Sequence, residues 1–243
     1  MFKKKGFIMA FILIISMIGM TACKKNVGAP EDNAQAEENE DETNTEETQE
    51  HLIGFSVIDM ENPYFITLES AAKAELEEDG YRMITKNPET DPQLQETQIQ
   101  EMIDEGIEAI ILSPVDWEKI TPSLQALKKA GVKIINVDTQ VKEMEYVDAY
   151  IGSDNQKAGY ICGEDLITKC PDGGKIAILE CPTQNSINDR ITGFEEAIAQ
   201  AENGFEVVER MDTKGEFELA LEAAQKILEE HPDISAIMCG NCL

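Results

Sequence analysis

Histidine is almost missing from this chain, with only His51 and His231 in 243 residues. That scarcity removes the commonest general base and metal ligand. His51 falls at the end of an acidic stretch, and His231 precedes Pro232 in the turn after a helix-like segment. No Gly-x-Ser-x-Gly elbow, no phosphate-cradling glycine loop and no metal-spaced His/Asp set occurs. The sequence therefore expects no catalytic residue, no cofactor and no metal. Positive charge is short as well. Lys and Arg number 20 against 48 Asp and Glu, a formal charge of −28. So acidic a surface repels phosphate backbones, and no basic cluster follows the first 25 residues, which excludes a nucleic-acid partner. Tryptophan occurs once, Trp117 after "LSPVD", which reads as a packing residue at a helix start.

Long apolar runs are limited to one, Phe7 to Met20, preceded by Lys3, Lys4 and Lys5. It is short for a spanning helix and charged on one flank only, the pattern of a removable export signal over residues 1–22. The "MTACKK" that follows, small residues before a cysteine, resembles the lipobox of bacterial lipoproteins. That resemblance implies lipidation of Cys23 and anchorage to the outer face of a Gram-positive cytoplasmic membrane. Between Glu31 and Glu50 stand ten acidic residues and no basic, aromatic or large aliphatic one. Such a segment buries nothing that offsets its ordering entropy, so residues 23–51 are expected to form an extended tether.

From residue 52 the pattern changes. Short apolar runs, "LIGFSVI", "YRMITKN", "EAIILSP", "VKIINVD" and "DAYIGSD", alternate with segments of helical period. In "PYFITLESAAKAELEEDG" the residues Phe65, Leu68, Ala72 and Leu76 share one face; Asp91-Pro92 opens the next such segment and Gly106 closes it. Further helices are expected at about 155–169, 186–201 and 216–230, with strands at "GKIAILE", "FEVVERM" and "SAIMCG". Alternating strands and helices predict an α/β fold, parallel sheet flanked by helices. Two successive units of this kind imply two lobes, 52–153 and 154–243, hinged near Gly152 to Asn155.

Ligands of open parallel sheets bind beyond the carboxyl ends of the strands. There the chain places Tyr64 and Phe65, Asp138, the loop "CPTQNSINDR" and Asn241. Aromatic faces stack on C–H-rich rings, while Asp, Asn and Arg pair with hydroxyls, so a hydroxylated small molecule suits the set. The runs "IGFSVIDMENPYF", "IINVDTQ", "AYIGSDNQKAGY", "NDRITGFEEAI" and "HPDISAIMCGN", in this order, resemble the ribose- and galactose-type periplasmic sugar-binding proteins. Those are the substrate-receiving components of ABC transporters. The resemblance implies a type I two-lobed clamp, monomeric, closing on a monosaccharide for delivery to a membrane permease, without catalysis. It carries over Asn62, Tyr64, Phe65 and Asp138 as first-lobe contacts, and Arg190 and Asn241 as second-lobe contacts. Asn188, with Gln184 and Ser186, falls where some relatives touch ligand.

The departures are specific. Asp138-Thr139 stands where the ribose-type pattern has Asp-Arg, so Thr139 faces the ligand in place of a guanidinium. Phe217 is the nearest substitute for an aromatic expected near Gly215, and Cys242 follows Asn241 where Asp is usual. The chain stops at Leu243, before the closing elements of the family, so the second lobe is expected to be incomplete and the chain a fragment. Besides Cys23, five cysteines remain, Cys162, Cys170, Cys181, Cys239 and Cys242, and are expected as buried free thiols. "CGNC" at 239–242 keeps a redox or metal reading open. A sensory receptor and an α/β enzyme on a sugar derivative are the other functional alternatives.

Overall fold

The structure, a computed structural model, describes residues 51–202 and 204–241. The export signal, Cys23, most of the tether and Cys242 lie outside the described residues. Among the described residues eight strands form two parallel sheets, with six α-helices and one 3-10 turn (Met144–Tyr146) between them. The first sheet contains β1 (His51–Ser56), β2 (Tyr81–Lys86), β3 (Ala109–Leu112), β4 (Lys133–Val137) and β5 (Ala149–Ile151), in the order β2-β1-β3-β4-β5. The second contains β6 (Gly174–Glu180), β7 (Phe205–Asp212) and β8 (Ile234–Cys239), in the order β7-β6-β8. Helices α1 (Pro63–Glu78), α2 (Pro92–Asp104) and α3 (Thr121–Ala130) cover the first sheet; α4 (Asn155–Lys169), α5 (Asn185–Ile198) and α6 (Phe217–Glu230) belong with the second.

Each sheet is buried on both faces, because successive side chains of a strand point opposite ways. In β3, Ile110 and Leu112 join α2 and α3 in one core, with Ile99, Met102, Leu124 and Leu127, while Ile111 turns to the α1 side with Phe55, Val57 and Phe65. β6 repeats the scheme: Ile176 and Ile178 meet Ile191 and Phe194 of α5, and Ala177 and Leu179 meet Ala223 and Ile227 of α6. Two helix starts show why the boundaries fall where they do. Asn62 and Asp91 accept from the first backbone N–H groups of α1 and α2, and a proline without an N–H to satisfy follows each.

Two buried amides tie the strand ends that matter. Gln95 donates to Ser56 Oγ and to the Ser113 carbonyl, both at 3.1 Å, and accepts from Val115 N–H at 2.9 Å, joining the carboxyl ends of β1 and β3. Asn136 donates to the carbonyls of Leu112 (3.0 Å) and Thr139 (2.9 Å) and accepts from Val141 N–H at 3.1 Å, fixing the turn after β4. Helices α4 and α5 touch backbone to backbone: a Cβ on Gly159 would come within 1.8 Å of the Arg190 carbonyl oxygen, and one on Gly193 within 1.9 Å of that of Gln156. Only glycine permits that approach.

Several expectations are corrected. His51 opens β1 instead of ending the tether, because its ring lies 5.3 Å from Tyr81 on β2 and bonds Glu108 at 2.8 Å. Trp117 sits in the loop between β3 and α3, not at a helix start, with the Lys142 ammonium 5.9 Å from its ring. Of the thiols among the described residues only Cys181 is buried. Cys170 is half-buried and Cys162 and Cys239 are exposed, since α4 turns Cys162 to solvent and Cys239 ends an outer strand of its sheet. Among the described residues no helix is long and apolar enough to cross a membrane.

Candidate functional site

Adjacent residues on a helix point about 100° apart, so two neighbouring rings at the start of α1 cannot both enter the core. Phe65 does so, 3% exposed, while Tyr64 stays 53% exposed, its ring edge-on to Phe65 at 5.1 Å. Asn62 accepts from Tyr64 N–H at 2.9 Å, which sets the direction in which the tyrosine leaves the helix.

These residues open on a cavity of about 330 Å³ at the carboxyl ends of both sheets. The first sheet and its loops contribute Asp59, Asn62, Tyr64, Phe65, Thr90 and Asp138. Ser153 comes from the connecting segment, and the second sheet supplies Gln184, Ser186, Arg190, Lys214 and Asn241. The volume suits one sugar-sized molecule. A hollow of about 380 Å³ between α2 and α3 lies away from the strand ends and lacks this convergence.

Asp138 follows β4 directly, with a left-handed backbone (φ 59°) held by its N–H on the Ile151 carbonyl at 3.0 Å. Burial raises its carboxyl pKa, against the opposing pull of the Arg190 guanidinium and of Thr139 and Ser113. The Ser113 hydroxyl is buried and lacks a partner in strict hydrogen-bond geometry, yet it is close enough to Asp138 to lower that pKa. Tyr150 donates its hydroxyl to the Asp138 carbonyl at 2.8 Å, locking the turn from below.

Arg190 lies in the second turn of α5, beyond the first turn where the helix dipole most opposes a cation. Its Nε donates to Asn155 Oδ1 at 2.8 Å and its Nη1 to the Gly240 carbonyl at 2.9 Å, bringing α4, α5 and the end of β8 to one point. Both Arg190 and Asp138 act electrostatically on the Tyr64 hydroxyl, whose pKa burial raises first. Ring, carboxylate and guanidinium therefore share one small volume.

The remaining expected contacts divide. Asn241 lines the cavity, as do Gln184 and Ser186. Thr139 is fully buried: its hydroxyl bonds Ser186 Oγ of the opposite lobe at 2.7 Å and Asp138 Oδ2 at 3.3 Å, so it holds the wall in place. Asn188 donates to the Pro182 carbonyl at 3.0 Å and is not among the lining residues. Phe217 opens α6, 62% exposed, beside a separate cavity of about 220 Å³, so among the described residues the second lobe presents no aromatic to the main one. Asp59, Thr90, Ser153 and Lys214 line the cavity and escaped the sequence reading. Their signal was position alone: each follows a strand by a few residues.

Folding also brings donor atoms of Glu209, Glu230 and His231 within 4.8 Å of one another, although their sequence spacing suggests no metal set; none lines the cavity.

Residues 53–242 match the periplasmic binding protein domain family. The ribose import binding protein of Bacillus subtilis is 26% identical over 95% of this chain and 72% of its own length. The D-ribose/D-allose-binding protein of Pseudomonas aeruginosa is 29% identical over 74% of this chain and 59% of its own. A solved ABC transporter solute binding protein from Mycobacterium smegmatis, with bound glycerol, superposes with a TM-score of 0.72 and 30% identity over 78% of this chain and 66% of that one. The chain thus spans between about three fifths and three quarters of these relatives.

Proposed function

The chain belongs to the periplasmic binding protein domain family, and from that premise we propose that it is an extracytoplasmic solute-binding lipoprotein. It captures a monosaccharide or similar small polyol and delivers it to the permease of an ABC importer. The observation that carries this reading is the cavity itself, sugar-sized and lined from both sheets by Tyr64, Asp138 and Arg190. Tyr64 offers a ring face to C–H groups. Asp138 accepts from hydroxyls, and Arg190 and Asn241 complete the opposite wall.

Capture follows from the layout. Ligand settles on the first lobe, against Asn62, Tyr64 and Asp138, and rotation about residues 152–155 brings Arg190, Ser186 and Asn241 over it. Every residue in this account binds or orients, so the step ends in a closed complex presented to the permease. Cys23, as the lipidated first residue of the mature chain, and residues 24–51 as tether, would keep that complex, a monomer, close to the membrane.

Calorimetry and thermal melting across a panel of monosaccharides and polyols, neutral and anionic, test the proposal. A ligand present at about 100 times its Kd stabilises the folded state by about 2.7 kcal/mol, which appears as a melting-temperature gain of several degrees. Absence of heat and of any shift across the panel rejects a sugar-binding role.

A further inference from the structure

Four residues other than glycine hold left-handed backbone among the described ones: Glu89, Thr90, Asp138 and Lys214. Three of them, Thr90, Asp138 and Lys214, line the cleft cavity. Strain of this kind survives only where the surroundings enforce it, and it gathers at ligand clamps. Asp138 is already a candidate contact, and Lys214 carries the same signature from the opposite lobe.

The turn that presents Lys214 is tied at several points. Thr213 N–H donates to the Glu180 carbonyl at 2.9 Å, Lys214 N–H to Asp212 Oδ1 at 2.8 Å, and Glu216 N–H back to the Thr213 carbonyl at 2.9 Å. Gly215 follows, also left-handed at φ 74°. Asparagine or glycine would hold such a turn with less strain than lysine.

Among the described residues most lysines sit beside carboxylates, as Lys86, Lys119, Lys128, Lys142 and Lys175 do. Lys214, exposed, makes no ion pair within 4.0 Å among the described residues and is one of the residues that line the cavity. Arg190 has two of its donors committed, Nε to Asn155 and Nη1 to Gly240, and its charge is felt by Asp138. The lining carboxylates, Asp59 and Asp138, belong to the first lobe. The second-lobe wall thus carries a lysine that no carboxylate of the described residues pairs within 4.0 Å.

We infer that the ligand is an anionic polyol, a sugar acid or sugar phosphate, whose charged group meets Lys214 while its hydroxyls face Asp138 and Tyr64. This rests on the sugar-binding reading above and narrows it. Titration calorimetry on the full chain compares galactose with galacturonate, and ribose with ribose 5-phosphate, for the natural protein, Lys214→Gln and Lys214→Arg. The anionic member of one pair binds about 10-fold tighter than its neutral partner, the margin of one charge-assisted hydrogen bond. Lys214→Gln removes that margin, lowering the affinity of the anionic compound more than that of its neutral partner; Lys214→Arg retains it. Which pair shows the preference tells carboxylate from phosphate. A neutral sugar bound as tightly as its anionic partner overturns the inference and leaves the sugar-binding reading standing. So does a Lys214→Gln loss shared equally by all compounds, which would make the lysine a closure latch to the first lobe. No binding by any of the four compounds overturns the inference and counts against the reading it rests on.

Discussion

Tyr64 and Phe65 occupy neighbouring positions with opposite duties, and substitution separates them. Phe65 is packed among Phe55, Val57 and Met83, so Phe65→Ala should cost about 3–5 kcal/mol of stability, read from urea unfolding. Tyr64→Ala should leave stability within about 0.5 kcal/mol and weaken ligand affinity instead. The reverse outcome would place the wrong ring in the cleft. Asp138 makes a second residue-scale prediction, because burial lifts its pKa. Between the ordinary carboxylate value of about 3.9 and its own raised value, the folded chain keeps a proton that the unfolded chain has lost. The group's contribution to stability therefore falls as pH rises through that interval, and at neutral pH its charge is a net cost. Asp138→Asn should raise the melting temperature of ligand-free protein at pH 7 and weaken ligand binding by at least about 2 kcal/mol. For the natural chain, affinity should begin to fall on acidification while still above the usual carboxylate range. A melting temperature lowered by Asp138→Asn would show that the carboxylate holds the turn together rather than waiting for ligand.

At the scale of elements, the site depends on how closely α4 and α5 approach. Arg190 is aimed by Asn155, the first residue of α4, and the two helices meet through Gly159 and Gly193. Gly159→Ala pushes a methyl into the Arg190 carbonyl, so it should destabilise by about 1–3 kcal/mol through overpacking and also displace the guanidinium, lowering ligand affinity. Ala substitution at Gly80, whose Cβ would meet nothing within 4 Å, serves as the contrast: backbone strain alone, with affinity kept. Most of this framework was legible in the sequence. Helix α4 falls at residues 155–169 as its apolar period indicates, and Asp91-Pro92 opens α2 as the capping rule requires. Asp138 and Arg190 were legible through strand ends and a family pattern. What escaped was set by contacts between distant segments. Thr139 reads as a ligand contact until Ser186, 47 residues away, is seen to take its hydroxyl. Lys214 and Thr90 have no periodic or compositional mark; only the left-handed backbone singles them out. Phe217 is turned away because a helix begins at that residue and carries its ring outward.

For the whole molecule, the two lobes are bonded directly to each other. Thr139 bonds Ser186 at 2.7 Å, and Trp117 N–H donates to the Thr183 carbonyl at 3.0 Å. Both bonds cross the cleft, so part of the energy that holds the closed form comes from protein–protein contact. A clamp of this kind binds with an apparent affinity reduced by the fraction of molecules that are closed. Ser186→Ala removes one crossing bond and leaves the backbone bond in place. With a net value of about 1 kcal/mol for such a bond, the closed-to-open ratio should fall about 5-fold. Small-angle scattering of the ligand-free variant should show a larger radius of gyration than the natural chain, and saturating ligand should restore the compact value. Apparent affinity should weaken by the same factor as the closed fraction, because one equilibrium governs both. Should affinity drop while scattering stays constant, Ser186 touches the ligand directly and the closed form owes nothing to this bond. If both stay constant, the crossing bonds are incidental and closure is driven by the ligand alone.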